Sequence, residues 1–312
     1  MSLWLIGAGN MSKGYAQVLN SLKQDFKVIG RNKLSAEKFF EDTGIRVYEG
    51  GISKALSQNK PPLIAIVAVN IEMLAEVTMS LIDAGVKRIL VEKPGGLCKK
   101  DIQMIADRAK DRGAVILIAY NRHFYASVNM ARKLIDEDGG ARSCFFEFTE
   151  WSHVISSTVK STRLKELWLL SNSSHVVDLA FHFCGLPKRW NAWKNGSLSW
   201  HPSASRFSGS GITDRDILFS YFADWEGPGR WALEVLSSKR RFIFKPMEQL
   251  HILKIGSFEP EKVILDDSLD KKFKPGLYLQ TKAFLENDDI LFTSIDKQLI
   301  HSDIYNEMAG YN

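Results

Sequence analysis

The sequence predicts an α/β protein: a doubly wound parallel sheet at the N-terminus, then an α+β domain on a large open, mostly antiparallel sheet. Three observations predict it. Strand-like and helix-like periods alternate over the first 120 residues. The strand segments there are apolar on both faces, as in parallel sheets covered by helices. Beyond Tyr120 the pattern changes to strands divided by Gly, Pro, Asn and Ser clusters. The domains are read as 1–120 and 121–312, with the C-terminal helices able to pack back on the first.

The elements follow in order. Leu3–Ile6 is an apolar strand that stops at Gly7, and Met11, Tyr15, Val18, Leu19 and Leu22 mark the inner face of the next helix. Phe26–Ile29 is a strand, Ser35–Asp42 a helix, Ile45–Tyr48 a strand and Ile52–Leu56 a short helix. Leu63–Val69 is wholly apolar and β-branched, a strand covered on both sides. Met73–Ala84 is helical and closes at Gly85; Arg88–Val91, Asp101–Arg112 and Ala114–Ala119 read as strand, helix and strand. In the second part, Tyr125–Asp136 and Ser174–Phe183 are helices. The strands are Ser143–Trp151, Arg189–Lys194, Asp216–Trp225, Arg230–Leu236, Arg241–Phe244 and Leu250–Ile255. Gly276–Glu286 and Ile295–Met308 are terminal helices.

Composition excludes several classes. Forty-one Lys and Arg against 36 Asp and Glu give a net charge of +5, scattered rather than massed, so no nucleic-acid partner is expected. A mild positive balance still helps to attract acidic or phosphorylated small molecules. Cys98, Cys144 and Cys184 are far apart and odd in number, which excludes a disulfide scaffold and a cysteine zinc site and suits a reducing cytoplasm. The N-terminal apolar run lacks a basic region ahead of it and does not read as a signal peptide. No run is long enough to span a membrane.

The chemistry begins at Gly7-Ala8-Gly9-Asn10-Met11-Ser12, between the first strand and first helix. Gly7 permits the tight turn, and Gly9 lets the backbone approach a pyrophosphate facing the helix N-terminus. The third glycine of the dinucleotide fingerprint is replaced by Ser12, with Gly14 beyond it. The same residues also suit a turn that merely needs glycine. At the end of the second strand, Val28-Ile29-Gly30-Arg31-Asn32 lacks the acid that grips a ribose 2′-hydroxyl. Arg31 suits a 2′-phosphate, which favours NADP over NAD. Val69 and Asn70, after the fourth strand, are further cofactor candidates. Glu92-Lys93-Pro94 ends a parallel strand, where ligands sit in such sheets. There Lys93 can stabilise a developing alkoxide, or form only a surface Lys-Pro turn.

These motifs, with Tyr120-Asn121-Arg122-His123-Phe124 and His175-Val176-Val177-Asp178 following in order, resemble the glucose–fructose oxidoreductase/inositol dehydrogenase/MocA family over essentially the whole chain. The resemblance implies a Rossmann domain, a second α/β domain with an open sheet, and NAD(P)-linked oxidation or reduction of sugars, cyclitols or nucleotide-sugars. It extends by analogy to surface polysaccharide synthesis and to homo-oligomers formed through the C-terminal sheet. It makes Lys93 the active-site lysine and His175 the histidine beside the substrate, with Lys93 hydrogen-bonding the reacting oxygen and His175 exchanging its proton. One position departs. Many relatives carry Asp four residues before the histidine, and here it is Ser171, which cannot serve as base or charge partner near neutral pH. Tyr120 is then a candidate third donor.

Arg122, Trp151, His153 and Asn172 are candidate substrate contacts. Asp178 and His182 share a helix face with His175, but no further metal ligand is evident, so no metal is expected. Asp178 is read as orienting its neighbours and His182 as packed. Two other readings stay open: a cofactor-binding sensor or partner protein without turnover, motivated by Ser171, and a reductase of a non-sugar carbonyl or imine.

Overall fold

The computed structural model describes residues 2–311. The chain forms two compact units, Met1–Asn121 with Leu269–Ile300, and Arg122–Ser268 with His301–Asn312. Most of the C-terminal helical region therefore belongs to the first unit, and only the last turns of the chain to the second. The strands are β1 (Leu3–Ile6), β2 (Lys27–Ile29), β3 (Val47–Tyr48), β4 (Ile64–Val67), β5 (Arg88–Glu92), β6 (Val115–Ala119), β7 (Ser143–Glu147) and β8 (Pro187–Asn195). They continue as β9 (Arg206–Thr213), β10 (Leu218–Asp224), β11 (Ala232–Leu236), β12 (Arg240–Phe244), β13 (His251–Lys254), β14 (Glu261–Lys262) and β15 (Thr293–Ser294).

The first unit holds one sheet in the order β15-β6-β5-β4-β1-β2-β3. All neighbours are parallel except β15, which runs antiparallel to β6. β1 and β4 are in register from Leu3 opposite Ile64 to Ile6 opposite Val67, and both are wholly buried. The chain winds one way from β1 to β3 and the other way from β4 to β6. The reversal lies between β1 and β4, so the crevice beyond their C-terminal ends is where such a sheet binds ligands. Helix Asn10–Ser21 buries Tyr15, Ala16, Val18 and Leu19, the face its apolar spacing defines.

The second unit holds an eight-stranded sheet, β14-β13-β12-β11-β7-β10-β9-β8, antiparallel throughout except for the β7–β10 pair. Helix Ser174–Cys184 packs on β7 and β11 and is almost entirely buried. The other face of the sheet keeps large apolar side chains in the open: Trp193, Leu218 and Phe222 are 57%, 61% and 41% exposed.

Two expectations for this unit are corrected. The strand expected over 143–151 ends at Glu147, and Ser152–Thr158 is helical. A central strand, β9, falls in a Ser- and Gly-rich stretch that signals turns. It is a strand because its glycines sit under large neighbours. A Cβ at Gly209 would lie 2.4 Å from the Tyr221 ring, and one at Gly211 2.3 Å from Trp190 Cβ. The small residues of β9 are the complement of aromatic residues on β8 and β10.

Near one end of the second sheet, Asp138 accepts two hydrogen bonds from Arg240, Nε at 2.8 Å and Nη2 at 2.6 Å, and a third from Ser237 Oγ at 2.7 Å. The Arg240 hydrogen bond, above all, holds the Asp138 carboxyl down at about 2. A folded-state pKa below that of the unfolded chain means the contribution is complete above the unfolded value of about 3.9 and disappears as pH falls through the folded one. D138N should therefore melt below the wild type at pH 7, with the gap narrowing from about pH 4 downwards and closing near pH 2. A gap unchanged across that range in thermal melts would show that the charge of Asp138 contributes nothing.

Candidate functional site

In the first unit, the turn after β1 is fixed by sterics. Gly7 has φ +123°, and a Cβ there would lie 2.2 Å from the Ala68 carbonyl oxygen. Ser12, in place of the third glycine, donates to that same carbonyl at 3.2 Å, so its hydroxyl ties the helix to the end of β4. Gly9 is the N-cap of helix Asn10–Ser21. No side chain caps the helix, and its first turn carries no acid. A Cβ at Gly9 would meet nothing within 4 Å. The first N–H groups thus face open space and, with the helix dipole, suit an anion such as a pyrophosphate.

That turn opens on a cavity of about 360 Å³ lined by Gly7, Ala8, Gly9, Arg31, Asn32, Val69 and Asn70 among others. Gly30, Ser35, Gly50, Gly51, Ser53, Met73 and Glu76 also line it and were not singled out from sequence. Asn32 uses its side-chain oxygen to cap helix Lys33–Thr43, accepting from Ser35 N at 2.9 Å. Arg31 is exposed at the wall of the same cavity, and no acid occupies the end of β2. A glycine turn, an uncapped helix start and a cationic far end fit a dinucleotide. Asn10 and Met11 lie in the helix start itself, and Lys274 Nζ reaches Met11 Sδ at 2.7 Å.

The Glu92-Lys93-Pro94 element sits elsewhere, at the C-terminal end of β5. Glu92 accepts from the Tyr15 hydroxyl at 2.7 Å, and burial raises the Glu92 pKa against the pull of that bond and of Lys274 and Lys93. Its carboxylate is thereby spent on anchoring the strand end to helix Asn10–Ser21. Pro94 is held by its carbonyl, which accepts from Gln298 Nε2 at 3.1 Å. The same amide donates to the Tyr120 hydroxyl at 3.2 Å. Tyr120 is buried in the core of this unit, so the structure casts it as a support for the turn that carries Lys93. Lys274 and Gln298 come from the segment that returns to this unit. No motif marks them in the sequence.

In the second unit, His175 lies in the first turn of helix Ser174–Cys184, directly after a π-helical turn, Leu169–Ser173. Such turns are rare and frequent at functional sites. Ser171 lies within it and is turned away: its hydroxyl donates to Leu164 O at 3.1 Å. The carboxylate of this region is Glu150, whose side chain is 1% exposed. Its Oε1 accepts from Asn172 Nδ2 at 2.9 Å, Ser173 Oγ at 2.7 Å and Trp231 Nε1 at 3.2 Å, and its Oε2 from Arg230 Nη1 at 2.8 Å. Trp231 lies 6.1 Å from the His175 ring, centre to centre, and 4.7 Å from the Arg122 guanidinium carbon. Asn172, Arg122 and His175 are therefore gathered around Trp231 and Glu150. Glu150 and Arg230 went unmarked in the sequence because one acid and one arginine in strand-like segments carry no pattern.

Trp151 and His153 lie along a groove that also includes Glu150, Trp225 and Glu226. Trp151 donates to Gly229 O at 3.1 Å and stacks under Arg230, while His153 is exposed on helix Ser152–Thr158. Asp178 is fully buried and orients two histidines, His123 Nε2 at 2.5 Å and His301 Nδ1 at 3.4 Å. Burial works to raise its pKa, but His123 and His301 carry it well below the carboxylate range. His182 stacks on His123 at 3.9 Å. Among the described residues no group of three or more His, Cys, Asp or Glu could hold a metal ion, and no helix is long and apolar enough to cross a membrane.

Comparison of the sequence with curated proteins finds no match. Several solved structures share the fold. A levoglucosan dehydrogenase in complex with NADH and L-sorbose is 15% identical with a TM-score of 0.81, covering 100% of this chain and 96% of its own. A UDP-N-acetylglucosamine 3-dehydrogenase, GnnA from Acidithiobacillus ferrooxidans, is 15% identical with a TM-score of 0.75, covering 100% of this chain and 98% of its own. An NAD binding oxidoreductase from Klebsiella pneumoniae is 14% identical with a TM-score of 0.75, covering 100% and 96%. A family model described as an oxidoreductase family with an NAD-binding Rossmann fold matches residues 1–120. Those residues, with their glycine turn, switch-point cavity and Glu-Lys-Pro strand end, are the part of the chain that matches the Gfo/Idh/MocA family model.

Proposed function

We propose that this chain is an NADP-preferring oxidoreductase that interconverts a CH–OH group and a carbonyl on a sugar or sugar derivative. The observation that carries the reading is the uncapped helix start above Gly9, opening on a cavity that Arg31 lines and that has no acid at the end of β2. The sugar part is supported by the names of the similar structures, a levoglucosan dehydrogenase and a UDP-N-acetylglucosamine 3-dehydrogenase. A nucleotide-linked sugar, used in making surface polysaccharide, is one form that substrate takes in this reading.

When bound, the dinucleotide supplies or accepts the hydride. The chain's own residues do the rest. Gly7, Ala8, Gly9 and the N–H groups of Asn10 and Met11 hold its pyrophosphate, and Val69 and Asn70 wall the crevice. Arg31 meets the 2′-phosphate. Lys93 donates to the reacting oxygen and stabilises the charge that grows on it. His175 takes or returns the hydroxyl proton, a task an imidazole can perform. Ser171 supplies no charge, so the proton exchange runs without an adjacent carboxylate at that position. The outward apolar residues Trp193, Leu218 and Phe222 support a homo-oligomer through the face of the second sheet. A second reading, a cofactor-binding sensor without turnover, draws on Ser171, whose hydroxyl is committed to Leu164 O. Turnover of NADP(H) with a panel of sugars decides between them.

Three outcomes are expected. The wild type should bind NADPH more tightly than NADH, and R31D should erase or reverse the preference; equal or tighter NADH binding by the wild type would refute the assignment. K93A should lower kcat/KM on the order of 10²–10³-fold with much less change in cofactor affinity, because the lysine acts mainly as charge develops. Near-normal turnover by this variant would remove Lys93 from the mechanism. H175A should lose about 10²–10⁴-fold in activity while still binding dinucleotide. S171D, four residues earlier in the same helical run, should stabilise the imidazolium and move the pH–rate profile to higher pH. A profile unmoved by S171D, together with an active H175A, would transfer the proton exchange to Lys93.

A further inference from the structure

We propose that the substrate carries an anionic group, a carboxylate or a phosphate, and that Arg122 and Arg230, which share a contact with Trp231, bind it. This rests on the oxidoreductase reading for the word substrate, but the anion site is argued from the second unit alone. Arg122 and Arg230 place their guanidinium carbons 4.7 and 4.9 Å from the centre of the Trp231 ring. Arg230 also stacks on Trp151 at 5.0 Å, and Arg122 on Tyr125 at 5.8 Å. Stacking uses the flat face of a guanidinium and leaves the N–H donors around its edge directed outwards, in the fork that matches a carboxylate or phosphate.

The protein does not use those donors up. Arg122 Nε is buried with no hydrogen-bond partner, and among the described residues no hydrogen bond or ion pair reaches its guanidinium. Glu150 does not serve it, because both Glu150 oxygens are taken by Asn172, Ser173, Trp231 and Arg230. Arg230 gives Glu150 one Nη1 bond and remains 45% exposed. Glu248 is the other acid within electrostatic reach of Arg122, and it is exposed. Burial, and the like charge of Arg230, weaken the hold of Arg122 on its proton, while Tyr125, Glu248 and Glu150 strengthen it. A guanidinium stays charged in a protein, so a buried one with unfilled donors calls for an acceptor that brings negative charge. A neutral sugar hydroxyl fills one donor and leaves the charge of Arg122 uncompensated. Trp231 adjoins His175, so the anion would sit on the molecule whose proton His175 exchanges.

The test uses the full-length protein with D-glucose, D-glucuronate, D-glucose 6-phosphate and UDP-glucuronate. Binding is followed by calorimetry without dinucleotide, and turnover with NADP⁺ and NAD⁺. At least one acid should bind tenfold or more tightly than glucose, with affinity that falls as salt rises. R122Q should lower that acid-over-glucose ratio tenfold or more, and R122K should restore part of it. The glucuronate and phosphate arms identify which anion is meant. R230Q changes a half-exposed side chain and repeats the measurement should R122Q fail to fold. Glucose binding as well as its acids would overturn the proposal, as would an acid-over-glucose ratio unmoved by both variants. Anion binding that depends on Arg122, without any turnover, would keep the site and remove the dehydrogenase reading. Turnover of glucose with no preference for an acid would do the reverse.

Discussion

Glu150 is the constraint on which the His175 region is built. An ionised carboxylate stripped of water is costly to leave alone, by several kcal/mol even after the protein relaxes. Here four donors meet it from two stretches of chain: Asn172 and Ser173 from the π-helical turn, Arg230 and Trp231 from the segment just before β11. Each bond also fixes a neighbour of the site. The two from 172 and 173 hold the wide turn that delivers His175. The one from Trp231 aims its indole past His175, and the one from Arg230 sets a cation on that indole. Loss of the carboxylate would strip four donors of their acceptor, and each of them that is buried without a partner costs about 1–3 kcal/mol. The geometry around His175 therefore has one centre, Glu150.

The first unit is organised by a comparable division of labour, with the support coming from behind. The end of β5 must present Lys93 and yet cannot be held by the ladder beyond Glu92. Three ties replace the ladder: Tyr15 to Glu92, Gln298 to Pro94, and Gln298 to Tyr120. Further back on β5, Arg88 binds both the carboxylate of Asp289 and the carbonyl of Phe284. Three of the four partners, Gln298, Asp289 and Phe284, come from the segment 269–300. This explains why a segment so late in the sequence is part of the nucleotide-binding unit: it supplies the polar groups that the crossover helices of a doubly wound sheet, busy covering its faces, do not.

Legibility in the sequence tracked the range of the interactions. β1, its glycine turn and the helix after it are dictated locally, by apolar runs, a required positive φ and helical spacing, and they were read with nearly the observed bounds. The residues placed from that pattern, Gly7 to Gly9 with Arg31, Asn32, Val69 and Asn70, are brought onto one cavity because consecutive parallel strands must end on the same edge. β9 was missed because its glycines answer to Tyr221 and Trp190, which are neighbours only once the sheet has formed. Glu150, Arg230, Gln298 and Lys274 were missed for the same reason. Each acts through a partner between 22 and 263 residues distant, and no local spacing encodes such a pair.

The serine at 171 gains its meaning from this arrangement. A carboxylate there would have stood in the same turn as Asn172 and Ser173, both of which point their donors at Glu150. Two acids in this largely buried region would compete for the same few donors. Serine avoids that conflict and satisfies its own hydroxyl on Leu164 O, which in turn steadies the π-helical turn. The negative charge of the region is thus placed on a strand end, where it can be surrounded by donors and can balance Arg230, instead of on the helix beside His175. The arrangement leaves position 171 uncharged. It also leaves Arg122 as the charge near Trp231 that the protein itself does not answer.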